Sequence, residues 1–252
     1  MIKEIGRHFL SSSNLKKTQK NKNIFFQRTL PSNEQIIFAM LLTLSGGFFD
    51  SYTFVNCNGI FANAQTGNLI FIGLEIAQGE YHRALRYVPS IASFVLGVIF
   101  NKYIMNKIKN IRISNYINIS LLIQIFVLVL IYVIPKIYIF DIRPWGISFT
   151  CAMQFDSFRR VNSVPFASVF CTGNLRSMSE HLFRYFYNKE NLSKINALTY
   201  IIIISVFLLG VIIGGVLSSI LHQHAILVPI IILTLNLFLA VVHDIYLFEN
   251  EV

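Results

Sequence analysis

Two aspartates set inside apolar runs are the side chains best placed to do chemistry in this chain. Asp50 lies in Phe49-Asp50-Ser51 and Asp156 in Phe155-Asp156-Ser157. Each tripeptide is followed by the same polar block, Thr66-Gly67-Asn68-Leu69 in one case and Thr172-Gly173-Asn174-Leu175 in the other. Both blocks recur at one offset of 106 residues, so the chain is internally duplicated. A carboxylate inside a bilayer costs about 2.5–3.5 kcal/mol on insertion scales, and such a residue marks a functional site by default. Asp50 has no Lys or Arg within a helical turn. It suits a carboxylate that takes up and releases a proton, or binds a cation in a wet cavity. Asp156 has Arg159 and Arg160 three and four residues on. A local ion pair on one helix face is expected there, which would hold Asp156 ionised and out of a proton cycle.

The two Thr-Gly-Asn blocks read as the starts of short helices that begin inside the membrane. Gly67 and Gly173 permit a tight turn or a close backbone approach. Thr66, Asn68, Thr172 and Asn174 can offer oxygens to the free amides of a helix start. A helix N-terminus carries partial positive charge and suits a polar or anionic ligand group. The alternative is that Thr and Asn only satisfy broken backbone while Gly allows close packing. The binding set is therefore Asp50, Thr66, Gly67, Asn68, Thr172, Gly173 and Asn174, with Asp156 as the weaker member. No Cys-x-x-Cys or Cys/His cluster joins Cys57, Cys151 and Cys171, so no metal site, cofactor or disulfide framework is expected. His222 and His224 lack acidic or thiol partners and read as loop residues. Without a Ser/His, His-Glu-x-x-His, paired-Asp or Gly-rich phosphate motif, an enzyme is not expected.

The elements that carry these residues are membrane helices. Of 252 residues, 54% are hydrophobic and only 13% charged, against roughly 25% charged in a soluble domain. Leu198–Leu221 and Ala225–Val242 carry no charge at all. Each exceeds or approaches the ~20 helical residues that cross a hydrocarbon core. Helices are expected over Ile36–Val55, Tyr87–Met105, Tyr116–Ile134, Trp145–Arg160, Leu198–Leu221 and Ala225–Tyr246. The net charge of +9 fits basic flanks of membrane spans better than nucleic-acid binding.

Charge placement decides whether the Thr-Gly-Asn segments cross the membrane. If they dip in and return, the six-span arrangement puts 17 of the 21 Lys and Arg on the cytoplasmic side. Only Arg83, Arg86, Lys136 and Arg143 then fall outside. Eight spans would place the Lys102–Arg112 cluster and Arg159-Arg160 outside and bury Arg176. The positive-inside rule favours six.

The expected fold is thus an all-α polytopic membrane protein with six transmembrane helices and two re-entrant half-helices. Three spans per unit invert the second copy relative to the first. "FVLGVI" at 94–99 matches "FLLGVI" at 207–212 after a seven-residue insertion. Residues 1–34 read as a basic cytoplasmic tail without an apolar signal core, expected to be disordered. Residues 35–141 and 142–252 read as two inverted three-helix repeats, a plan that many secondary transporters share.

Gly46-Gly47-Phe48-Phe49-Asp50-Ser51, then Phe61, Thr66-Gly67-Asn68-Leu69 and Gly73, resemble the bacterial YoaK-like membrane family, domain of unknown function 1275. The resemblance covers most of the chain beyond the tail. It implies an inner-membrane protein of about six helices, read as a small-molecule permease. In one place the pattern departs. Where the family's second half reads Gly-x-Gln-Asn-Ala, this chain has Ala152-Met153-Gln154-Phe155-Asp156, so no role passes to Asp156 by resemblance.

Two functions are in view. One is a secondary transporter for a small solute, multi-pass in the bacterial inner membrane with both termini cytoplasmic. The other is a non-transporting assembly or regulatory protein. The expected partners are the lipid bilayer and an unidentified small solute, without nucleic acid and with room for a homo-oligomer. A cavity lined by both Thr-Gly-Asn segments favours the first; a packed, dry interface favours the second.

Overall fold

The computed structural model describes residues 34–108, 113–134, 141–162, 164–168 and 171–251. The expected tail therefore lies outside the described residues but for Glu34. The elements run α1 (Ile36–Asn56), α2 (Gln65–Ala77), α3 (Tyr81–Leu85), α4 (Val88–Lys107), α5 (Ile113–Val133) and α6 (Arg143–Ser157). A two-residue antiparallel hairpin follows, β1 (Arg160–Val161) and β2 (Val164–Pro165). Then come α7 (Cys171–Asn188), α8 (Asn191–Leu221), a 3-10 turn (His222–Ile226) and α9 (Leu227–Glu251).

Among the described residues, four stretches are long and apolar enough to cross a membrane. They are Ile36–Asn56, Tyr81–Lys107, Tyr116–Val133 and Asn191–Tyr246. The last is folded back at the 3-10 turn. Gly210 of α8 packs on Leu44, whereas Asn236 of α9 donates to the Phe38 carbonyl (3.2 Å), so α8 runs parallel to α1 and α9 antiparallel to it. Among the described residues the protein is all-α apart from the small hairpin, and it is built for a membrane. Large apolar side chains such as Leu96, Ile99, Phe126, Leu208 and Ile212 are exposed on the outer helices, which only lipid would solvate favourably.

Several helix ends differ from the sequence expectation for local reasons. α6 stops at Ser157 rather than Arg160, because Phe158 is extended and the chain enters the hairpin. With 15 residues it is too short to stand among the four stretches long and apolar enough to cross a membrane, where the sequence predicts a span. α8 starts at Asn191, seven residues before Leu198, since the polar turn Asn191–Lys194 is already helical. After α1, Asn58 (φ 57°) and Gly59 (φ 75°) take left-handed backbone that ends the helix.

α1 is the central element. In its apolar window 72% of residues are buried, against 17% for the stretch that contains α4. Phe38, Leu42, Phe48, Phe49 and Tyr52 of α1 join Ile117, Leu121, Leu128, Ile147, Cys151 and Leu233 in one core. The α1–α8 contact is a small-residue seam. A Cβ at Gly47 would strike the Phe207 carbonyl, and one at Gly210 would strike that of Leu44. Only glycine lets the two backbones come this close.

The parallel α1–α8 pair has a counterpart in α4 and α6. Ser90 and Ser148 share a 2.5 Å hydrogen bond, Gly97 packs on Phe149 and Ala152, and Asn101 donates to Asp156 at 2.9 Å. α4 and α6 are therefore parallel too. α6 is the sequence counterpart of α1, and α4 that of α8.

Candidate functional site

Asp50 sits on the inner face of α1, only 6% exposed. Its Oδ1 accepts the backbone N–H of Asn63 at 2.7 Å and of Ala64 at 3.3 Å. These amides belong to the turn that enters α2. Asn63 also donates its side-chain amide to the Gly46 carbonyl at 2.8 Å. The carboxylate thus accepts N–H groups at a helix entry, an arrangement that offsets part of its burial cost. Among the described ion pairs none involves Asp50.

Beside Asp50 the fold leaves a cavity of about 560 Å³. Its lining brings Asp50, Ser51, Phe54 and Val55 of α1 together with Phe61, Ala64 and Thr66 at the start of α2. Across it stand Cys171 and Thr172 of α7, and Phe207, Val211 and Gly215 of α8. The two Thr-Gly-Asn segments meet here, although 106 residues separate them. Phe54 and Phe61 stack at 5.0 Å between ring centroids, so one wall is aromatic.

Thr66 and Thr172 line the cavity; the other members of their blocks do not. The expectation that Thr and Asn cap the helix starts fails in the first copy. Ala64 is the N-cap of α2, and no side chain caps it. Asn68 is fully buried and turns back instead. Its Oδ1 accepts the Phe61 N–H at 2.9 Å and its Nδ2 donates to the Phe61 carbonyl at 2.8 Å. Asn174 repeats this on Ala167, accepting its N–H at 3.4 Å and donating to its carbonyl at 2.8 Å. A side-chain amide matches both backbone groups of one residue, so each Asn pins the chain that enters its helix.

Gly67 is helical rather than a turn residue. A Cβ there would lie 2.8 Å from the Phe61 ring, so the glycine makes room for the aromatic wall. Gly173 has nothing within 4 Å of the equivalent position.

Asp156 is held differently. Its carboxylate pairs with Lys102 Nζ at 2.9 Å and with Arg159, and it accepts from Asn101 at 2.9 Å. Ser157 continues the network to Asn101, Tyr116 and Ser120. The Asp156–Arg159 pair lies at the expected spacing. Lys102 and Asn101 were not legible as partners, since 54 and 55 residues separate them from Asp156. Gln154 makes contacts that its place in the family pattern did not foretell. It donates to the Leu42 carbonyl at 2.9 Å and to Ser168 at 3.2 Å, tying α6 to α1. Its position two residues before Asp156 was the available signal. Among the described residues no group of three His, Cys, Asp or Glu could hold a metal.

Residues 38–239 match the family model described as "Protein of unknown function (DUF1275)". No curated protein and no solved structure matches the chain.

Proposed function

The chain belongs to the family of proteins of unknown function DUF1275, and from its apolar helices and the cavity beside Asp50 we propose that it is a secondary transporter for a small solute. The observation that carries the reading is the single cavity lined by Asp50 and by both repeated threonines, Thr66 and Thr172. Midplane sites formed where two repeats meet at broken helices are the architecture of many secondary transporters. Asp50 is the coupling carboxylate, binding a proton or cation as access to the cavity alternates.

The proposed architecture is six spans, with α2 and α7 as half-helices and two inverted repeats covering 35–141 and 142–252. Helix directions support it. The parallel pair α1–α8 exchanges with α6–α4 under the repeat, and the antiparallel pair α1–α9 exchanges with α6–α5. Tyr116 near the start of α5 bonds Ser157 at the end of α6 (2.9 Å), which sets that second direction. The Asn68–Phe61 and Asn174–Ala167 clasps also superpose at the offset of 106. The proposed location is the bacterial inner membrane, and the placement of Lys and Arg supports an orientation with both termini cytoplasmic.

The test begins with metabolite profiling of cells that lack or overproduce the protein. Solutes that change in opposite directions are then offered to proteoliposomes under a proton or sodium gradient. Gradient-driven uptake that disappears in Asp50→Asn supports the reading. Equal flux in empty and loaded vesicles for every such solute refutes it.

A further inference from the structure

The two halves of the protein treat their equivalent aspartates in opposite ways, and the difference names a ligand. Matching 94–99 to 207–212 sets an offset of 113 residues between α4 and α8. At that offset Asn101 corresponds to Gly214 and Lys102 to Gly215. The packing agrees with the register. Asn101 bonds Ser157, while a Cβ at Gly214 would strike Ser51, the counterpart of Ser157 at the 106-residue offset. Lys102 and Gly215 therefore stand at equivalent places opposite Asp156 and Asp50.

In the second half that place is filled. The Lys102 ammonium lies 2.9 Å from the Asp156 carboxylate. In the first half it is vacant. Gly215 lines the cavity together with Asp50, and nothing lies within 4 Å of where its Cβ would be. We infer that the Asp50 cavity takes an organic amine, whose ammonium occupies against Asp50 the place that Lys102 occupies against Asp156. The surroundings fit such a ligand. Among the described residues no Lys, Arg or His lines the cavity, so a cation meets no repulsion there and an anion no positive partner. Val55, Phe207 and Val211 supply an apolar body site, and the stacked Phe54 and Phe61 rings make an aromatic wall that suits a cation. The ligand is thus a monoamine with an apolar or aromatic body, small enough for a cavity of about 560 Å³.

This deepens the transport reading and rests on it for its mechanism. One carboxylate balances one positive charge, so a proton and an ammonium exclude each other at Asp50. Amine and proton would then move in opposite directions.

The experiment uses the full chain in lipid nanodiscs and three probes of like shape: phenethylamine, 2-phenylethanol and phenylacetate. Phenethylamine should bind at least tenfold more tightly than the alcohol or the acid. Gly215→Lys, which recreates the Lys102 arrangement, should lose that binding at least tenfold while keeping a cooperative melt. Should that variant fail to fold, Asp50→Asn serves instead, and there the preference for amine over alcohol should vanish. Equal binding of the three probes, or amine binding unchanged in a folded Gly215→Lys or Asp50→Asn protein, overturns the inference. Proteoliposome flux separates this from the broader reading. Amine binding without flux leaves the site standing and refutes transport; flux of a neutral or acidic solute without amine binding does the reverse.

Discussion

Asp50 and Asp156 occupy equivalent sequence positions, yet of the cavities among the described residues one is lined by Asp50 and none by Asp156. Asp50 accepts two backbone amides and looks into open space, whereas Asp156 is neutralised by Lys102 and Arg159. Asp50→Asn should therefore remove gradient-driven uptake, at least tenfold in proteoliposomes, while thermal unfolding in detergent stays close to wild type. Asn keeps the size and an acceptor oxygen for the Asn63 and Ala64 amides. Asp156→Asn should do the reverse, lowering stability with less loss of flux. The expected cost is about 1 kcal/mol, modest because Lys102 and Arg159 are 48% and 61% exposed and can turn to solvent. Uptake retained in Asp50→Asn would leave that residue a purely structural acceptor. The glycines of the repeated block also divide. Gly67→Val drives a Cβ into the Phe61 ring, and Gly173→Val meets open space. Gly67→Val should lower the melting temperature clearly and Gly173→Val much less. Equal losses would mean that both glycines serve backbone conformation instead.

At the scale of elements, two devices set the cavity. The first is the Asn clasp before each half-helix. Asn68→Leu would leave the Phe61 N–H without its acceptor, at about 1–3 kcal/mol for an unsatisfied group, while the Phe61 carbonyl keeps the Ser90 hydroxyl at 3.2 Å. Unfolding measured in denaturant should show the loss, and Asn68→Asp should recover part of it, since a carboxylate still accepts the Phe61 N–H. A neutral outcome for Asn68→Leu would show that water replaces the clasp. The second device is the glycine seam between α1 and α8. Gly210→Leu places side-chain atoms where the Leu44 carbonyl lies, and overpacking of this kind costs about 1–3 kcal/mol or more. The same shift would part Phe207 and Val211 from Asp50 and enlarge the cavity. Loss of solute affinity should accompany the loss of stability in that variant. A well-folded Gly210→Leu protein with normal uptake would show that the seam does not position the site.

The whole molecule has a direction in the membrane that its side chains do not set pairwise. Seventeen of 21 basic residues collect on one side in the six-span arrangement. In a cysteine-free background, Cys at position 222 should react with an impermeant thiol reagent added outside, and Cys at 189 should react only after permeabilisation. Those positions lie at the two ends of α8, beyond Leu221 and before Asn191. Labelling from one side at both positions would mean that α8 does not cross, and the six-span arrangement would fall.

Much of this was legible in the sequence because it depends on composition and period. A charge-poor chain with runs such as Leu198–Leu221 must satisfy its backbone within helices once in lipid. Duplication was visible because equal spacing survives in one dimension. By these rules alone the chain determined its all-α character, the approximate helices, and the starts of α2 and α7 within a residue of Thr66 and Thr172. Tertiary structure decided the rest. Which side chain of each Thr-Gly-Asn block faces the cavity depends on helix rotation, and the clasp on Phe61 and Ala167 turns Asn68 and Asn174 inward. The partner of each aspartate depends on which helix lies opposite. Lys102 meets Asp156 only because α4 packs parallel to α6, and Gly215 faces Asp50 only because α8 packs parallel to α1. A repeat in sequence thus predicts equivalent places, but the residue that fills each place is known only once the helices are packed.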